Sequence, residues 1–419
     1  MVPYTDELSW PDHIAPFDLF DASIQIDPYA HYRWLRENAP ITRFSAAGTD
    51  YWIFTRYDDV VSILRQPKKF SSSHPANAVH AAMNIMDAPD HPRLRQIIAP
   101  SFTPKAVAAL EEGIRIKINT DFACFLDEGG GDIATFAAKM AAEAICQIIG
   151  LPTNSALEFV GWADDASQIL GRDTRGVPMT SEVAAKFESG RQKLLDAMLY
   201  HVNRARRSSE DTILRRLAVA WDEGAISELE VSNFGALIFS GGHSTTRILI
   251  GNCFAMLASD SAWLDRLAAE PESIPGFIEE MVRWKPSTSR LRRTTVDEVT
   301  VGGVTLPANA HVRIILASAN RDEAKFPNGE VFDPSRDTSG HVSFGYGVHA
   351  CVGAWLARLE ARTLLDIAVQ KLKDVRLDHT RQAIPIVGGT GDLVGLKSLF
   401  VSMTPKAGSQ NLIAAPQGI

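Results

Sequence analysis

The densest chemistry in this chain lies in Phe344-Gly345-Tyr346-Gly347-Val348-His349-Ala350-Cys351-Val352-Gly353, which runs straight into a helical apolar pattern from Ala354 to Lys371. Its glycines let backbone take positive φ and approach a flat group closely, and Cys351 falls where a helix begins and unpaired N–H groups converge. Helix N-termini lower a cysteine pKa and donate hydrogen bonds to sulfur, which is what a thiolate metal ligand requires. For Cys351 alone, a glycine-rich turn followed by an inert buried cysteine is the commoner arrangement. Cys124, Cys146 and Cys253 are scattered, which fits a reducing compartment and argues against a disulfide framework or a clustered zinc site.

Three further constellations have usable spacing. Ser240-Gly241-Gly242-His243-Ser244-Thr245-Thr246 sits inside a helical pattern that starts at a Ser227/Glu230 capping box and runs to about Ser259. Two adjacent glycines there cost roughly 1 kcal/mol each relative to alanine, so they mark either a groove beside a hydroxyl or a tight helix crossing. His91 and Arg95 are four residues apart on a helical stretch and share one face, as do Glu280 and Arg283 one turn apart. An isolated pair of this kind is more often a solvated salt bridge than a functional one.

The elements that must position these residues are predominantly helical. From about residue 104 to 285 the apolar spacing is helical, with breaks at Gly129-Gly130-Gly131, Pro152, Pro178, Gly224 and Pro271. Short strands are expected at Ile41 to Phe44 and Tyr51 to Thr55, around Val299 to Leu306 with a Gly302-Gly303 turn, and from Val312 to Ala317. The 419 residues, 45% hydrophobic and 22% charged, can bury one large core. No linker or repeat marks a joint, so a single domain over residues 1–419 is expected, with a flexible tail from about residue 404. The acidic start resembles neither a signal peptide nor a membrane anchor, and the expected setting is cytoplasmic, with no membrane contact. A net charge of −8 gives no reason to expect nucleic acid.

The Phe-x-x-Gly-x-His-x-Cys-x-Gly string of residues 344–353 resembles the ligand loop of the cytochrome P450 superfamily, and further family signatures follow in order over nearly the whole chain. The resemblance implies a mainly α fold with small β-sheets, a triangular helical prism with haem b between a long distal helix and the cysteine-loop helix. It makes Cys351 the proximal iron ligand, with Phe344, Gly347 and Gly353 shaping that loop. It makes His91, Arg95, Arg293 and His349 the propionate ligands, a role suited to charge-assisted hydrogen bonds. Glu280 and Arg283 become a structural pair locking their helix to the segment Phe326-Pro327 to Arg336. The family often has Arg where Val331 stands, which leaves the part played by Arg336 open. Gly241, Gly242 and Thr245 match the family's oxygen groove. Ser244 departs from it, because an acid usually precedes the threonine and serine cannot supply a mobile proton at comparable pKa. His243 reads as scaffold.

By the same resemblance the chain is a monooxygenase, like soluble bacterial members of the family, inserting one oxygen atom from O2 into a small organic substrate. No dinucleotide fingerprint, flavin signature or iron–sulfur cysteine cluster is present, so electrons must come from a ferredoxin and its reductase, and a monomer is expected. The pocket would draw on His74, Asn77, Leu237, Ser240, Ser287, Thr288 and Val387. Ser339-Gly340-His341-Val342 and Gly395 to Leu399 resemble the aromatic-acid O-demethylase branch, which implies a small aromatic substrate and hydroxylation or O-demethylation. His74 stands where that branch has Arg, so a phenol, an ester or a larger ligand fits equally. An acidic ferredoxin would dock on a basic patch of Arg93, Arg95, Arg358, Arg362 and Lys371. The alternatives are a peroxide-using haem-thiolate enzyme, which Ser244 favours, and a non-catalytic haem sensor, which would need neither a thiolate ligand nor a glycine-grooved distal helix.

Overall fold

The computed structural model describes residues 2–46, 48–73, 82–167, 180–387 and 392–408, with Ser167 described by its backbone only. Alanine- and isoleucine-rich Ile133–Ile149 starts where the Asp132 side chain accepts from the Ala134 and Thr135 N–H groups, and ends at Gly150, whose φ is +96°. Nearly all of it is buried. It packs along the 32-residue helix Glu228–Ser259, hereafter the roof helix, whose Ser227/Glu230 capping box forms as the sequence implies. Glu111–Asp127, Ile274–Trp284 and Ala354–Lys371 complete the largest apolar core around it.

A five-stranded sheet stands apart, in the order Ile41–Ala46, Thr49–Phe54, His311–Ile314, Leu291–Thr295 and Phe70–Ser71. The pair Thr49–Phe54 and His311–Ile314 is parallel and the other pairings are antiparallel. One face of this sheet packs on Val60, Ile63 and Leu64, and the other on the amino-terminal Phe17, Leu19, Tyr32 and Leu35. Val299–Val301 and Val304–Leu306 form the expected hairpin. Past Ile314 the expected strand gives way to a short helix, Leu316–Ala319. Among the described residues no helix is long and apolar enough to cross a membrane.

Two expectations change. Gly130 and Gly131 do more than break helices: with Asp132 they form a strand paired to Phe400–Pro405, which also pairs with Leu372–Leu377. Thr404 and Pro405 therefore belong to a sheet, and Lys406 donates to Lys371 and Val369 carbonyls, so residues 404–406 are not part of a flexible tail. Residues 409–419 lie outside the described residues.

Candidate active site

Cys351 stands between a tight loop and the first turn of Ala354–Lys371, hereafter the cysteine helix. The loop closes where the Cys351 N–H donates to the Phe344 carbonyl over 2.7 Å. Gly345 and Gly347 make the turn at φ +70° and +68°, and a side chain at 347 would press on the Leu64 carbonyl at 3.3 Å. The Arg358 guanidinium lies over the Phe344 ring, 4.4 Å from its centroid. Burial pushes the Cys351 thiol up, while the Gly353 N–H, Arg95, Arg358 and the Ala354 N–H pull it down. Burial here outweighs the helix N-terminus, against the expectation of an acidic thiol, and a bound metal would favour the thiolate. Although closely surrounded, Cys351 keeps accessible surface, so it borders a cleft rather than core.

Around Cys351, four basic side chains converge from three elements: His91 and Arg95 from the helix Asp90–Ile98, Arg293 from the sheet and His349 from the loop itself. The His91 and His349 rings lie 4.1 Å apart, centroid to centroid. Burial lowers both pKa values, that of His349 to about 4, with His91, Arg293 and Arg95 adding repulsion. Arg293 comes from the sheet, opposite Val312; burial pushes it down to about 10 with only Asp87 opposing, and its hydrogen bond goes to the Arg292 carbonyl. Arg95 donates to the Ala350 carbonyl over 2.7 Å. Ser72, missed by sequence reasoning, faces His349 Nε2 at 3.1 Å, and Asp87 anchors the Ser72 N–H and the Ser71 hydroxyl. One carboxylate beside two arginines and two histidines leaves an unmet demand for a further anionic group that can take their N–H donors. A flat group with two carboxylates and a thiolate-bound metal fits that demand, the cleft and the glycine loop together. Gly353, where an added Cβ would meet nothing within 4 Å, leaves room for it.

The roof helix separates its two glycines by role. A Cβ at Gly242 would sit 2.6 Å from Ile145, so Gly242 permits the helix crossing and is not part of the groove. Gly241 is exposed in the middle of a buried helix and a Cβ there would meet nothing. Leu237, Ser240 and Thr245 are partly exposed around it. Ser244, Thr245 and Thr246 each donate to the carbonyl four residues back, at 2.7, 2.9 and 3.1 Å. Ser287 donates to the Thr245 carbonyl over 2.8 Å, and Thr288 bridges to Leu393. Of the expected pocket residues, Ser287 is thus brought to Thr245, Leu237 and Ser240 lie on the same helix as Thr245, and Thr288 follows Ser287. Val387 is 46% exposed, and His74 and Asn77 lie outside the described residues. His243 is buried, its Nδ1 facing the Phe239 carbonyl at 3.0 Å, and burial lowers its pKa to about 4, consistent with scaffold.

Glu280 and Arg283 are fully buried and bonded bidentately, with both N···O distances 2.6 Å. Arg283 also donates to the carbonyls of Asn320, Gly329 and Val331, and Glu280 accepts the Asp333 N–H. Arg336 joins at 3.5 Å from Glu280, so the missing arginine at 331 is covered from five residues later in the chain. A second tie was not legible: Glu279 holds Arg358 and His341, linking Ile274–Trp284 to the cysteine helix.

The expected basic patch does not form from free charges. Arg93 pairs with Asp90 and Glu230, Arg358 with Glu279 and Arg362 with Glu111, Lys371 is buried, and Arg95 turns inward. Val348 and Trp355, 52% and 53% exposed, flank Cys351 in sequence instead.

Comparison with known proteins matches the cytochrome P450 family model to residues 17–398. The chain is 30% identical to vitamin D(3) 25-hydroxylase of Pseudonocardia autotrophica, over 93% of this chain and 97% of that protein. It is 32% identical to cyclomarin C epoxidase CymV of Salinispora arenicola (strain CNS-205), over 83% and 90%. The crystal structure of CalO2 superposes with a TM-score of 0.84 at 26% identity, covering 93% of this chain and 99% of that one.

Proposed function

The chain belongs to the cytochrome P450 family and is a monooxygenase, and we propose that Cys351 supplies the thiolate to its haem iron while His91, Arg95, Arg293 and His349 hold the haem propionates. The observation that carries this reading is the convergence of two arginines and two histidines, with Asp87 the carboxylate among them, at the Cys351 loop. A haem held there would supply the chemistry of O2 activation and oxygen-atom transfer, which a thiolate ligand favours. The protein's own tasks are narrower. Gly353 and Ala354 direct N–H groups at the sulfur, Gly241 leaves space for a diatomic molecule, and the Thr245 hydroxyl holds water beside it. Ser287 fixes the roof-helix backbone at Thr245. Electrons come from a ferredoxin and its reductase.

For substrate, Leu237, Ser240, Ser287 and Thr288 support a neutral, mostly apolar molecule anchored by hydroxyl groups. A small aromatic compound, hydroxylated or O-demethylated, is the reading favoured by the sequence. Relatives named for erythromycin and vitamin D(3) hydroxylation support a second class of larger molecules. Titrating both classes against the ferric enzyme tests the choice, since a ligand that displaces axial water shifts the Soret band from low to high spin. Micromolar shifts with aromatic compounds alone fit the first reading, whereas shifts only with macrocyclic or steroid-like compounds overturn it.

A further inference from the structure

Arg313, in the strand His311–Ile314, is a buried cation that no carboxylate pairs with among the described residues. It is 3% exposed, and its Nε has no hydrogen-bond partner. What it does have is the Tyr51 ring, whose centroid lies 5.1 Å from its guanidinium carbon, and a longer-range attraction to Asp392. Burial pushes its pKa down to about 10 despite that attraction. As packing alone it is a poor choice, because an apolar side chain of similar length fills a buried position without an unpaired charge.

Strand register puts a second cation on the same face. Arg313 stands opposite Arg292 in one neighbouring strand and Ile53 in the other, so this face is the one covered by the amino-terminal Phe17 and Leu19. Arg293 and Val312, one residue along each strand, point the other way. Arg290, fully buried nearby, adds positive potential. The cluster reaches solvent at Arg292, 39% exposed, and Asp392, 25% exposed. Asp392 approaches Arg292 Nε only to 3.4 Å, through Oδ2, and its buried Oδ1 has no hydrogen-bond partner. Two guanidiniums thus share one loosely engaged carboxylate, and a planar oxyanion suits the donors left over. Backbone bonds fix Asp392 in place: the Ser289 N–H donates to its carbonyl over 2.7 Å, and the Val394 N–H donates to the Ser287 carbonyl over 3.1 Å. We propose that Arg313 and Arg292 form a binding subsite for a carboxylate on this outer face of the five-stranded sheet, apart from the Cys351 cleft. Asp392 sets the affinity by competing for Arg292. The inference does not depend on the haem reading of the cleft.

Sodium acetate is the probe, titrated into the ferric holoenzyme at constant ionic strength and followed by the acetate carboxyl carbon-13 linewidth and by denaturant unfolding. Wild type should bind acetate saturably and gain stability from it. Arg313→Met should weaken binding about tenfold or more, yet unfold no more easily than wild type when acetate is absent. Asp392→Asn, which removes the competing charge, should tighten binding severalfold, an outcome that a purely structural role for these residues does not give. No saturable binding by wild type, equal binding by Arg313→Met, or weaker binding by Asp392→Asn overturns the proposal. Should Arg313→Met fail to fold, Arg292→Met and Asp392→Asn still decide it. The source of the carboxylate is read from the Soret band, and either source supports the subsite. Acetate that binds without moving the band marks a free carboxylate. Decanoate that moves the band in wild type and not in Arg313→Met marks a carboxylate carried on substrate.

Discussion

Ser244 and Thr245 carry hydroxyls with their protons directed back along the roof helix, to the Ser240 and Gly241 carbonyls. Such back-bonded hydroxyls can accept from groove water yet supply no acid themselves. Ser244→Asp should therefore raise product per reducing equivalent and Thr245→Ala should lower it, each by several-fold, read by product yield against NAD(P)H consumed. Tight coupling in wild type with no response to either change would move proton delivery off this turn altogether. The neighbouring glycines are told apart by a simpler measurement. Gly242→Ala forces a Cβ onto Ile145 and should cost about 1–3 kcal/mol of stability in denaturant unfolding. Gly241→Ala meets no atom and should leave stability equal or higher by up to about 1 kcal/mol, because alanine is the better helix former. The sequence could not make this distinction: both residues sit in one motif, and only the approach of Ile133–Ile149 assigns one to packing and one to the groove. Cys351, His91, Arg95, Arg293 and His349 were legible because their types and order are unusual in combination. Ser72 and Asp87 were not, since a lone serine or aspartate carries no spacing signal and becomes a partner only across the fold.

At the scale of elements, the helix Ile274–Trp284 is tied to the ligand-loop side by two acids with different exposure. Glu280 is sealed inside with Arg283, whereas Glu279, 28% exposed, receives Arg358 and His341. Burial pushes Glu279 up, but the hydrogen bonds from His341 and Arg358 outweigh it and hold its pKa at about 2. Its folded pKa lies below the unfolded value of about 4.3, so its stabilisation is fully present above that pH and fades as pH falls towards 2. After allowing for solvent screening this amounts to about 1–3 kcal/mol. Glu279→Gln should flatten the dependence of unfolding free energy on pH between about 4.3 and 2, followed by denaturant titration at several acid pH values. An unchanged slope would mean that the tie is not formed in solution. Helix boundaries such as Ala354–Lys371 and the Ser227 cap were readable from periodicity and capping chemistry. The strand Gly130–Asp132 was not, because a glycine run reads as a break until a distant strand pairs with it.

For the molecule as a whole, the net charge of −8 conceals how its cations are spent. Arg93, Arg358 and Arg362 are matched by carboxylates of their own chain, and the exposed surface flanking Cys351 in sequence is marked by Val348 and Trp355. A redox partner approaching that side would meet Val348 and Trp355, with Arg358 and Arg362 already paired, so its reduction rate should respond weakly to ionic strength. Trp355→Ala should weaken docking by about 2 kcal/mol, the scale of an aromatic hot spot, read as the partner concentration at half-maximal reduction. A steep salt dependence with no effect of Trp355→Ala would restore the basic-patch picture. The claim on which everything else depends is that Cys351 binds the haem iron as a thiolate. The carbon monoxide difference spectrum of the reduced enzyme tests it most directly. Wild type should give the red-shifted Soret band of a thiolate-ligated haem, and Cys351→Ser should lose that band because a neutral alcohol is a poor iron donor; an identical spectrum from Cys351→Ser would contradict the account.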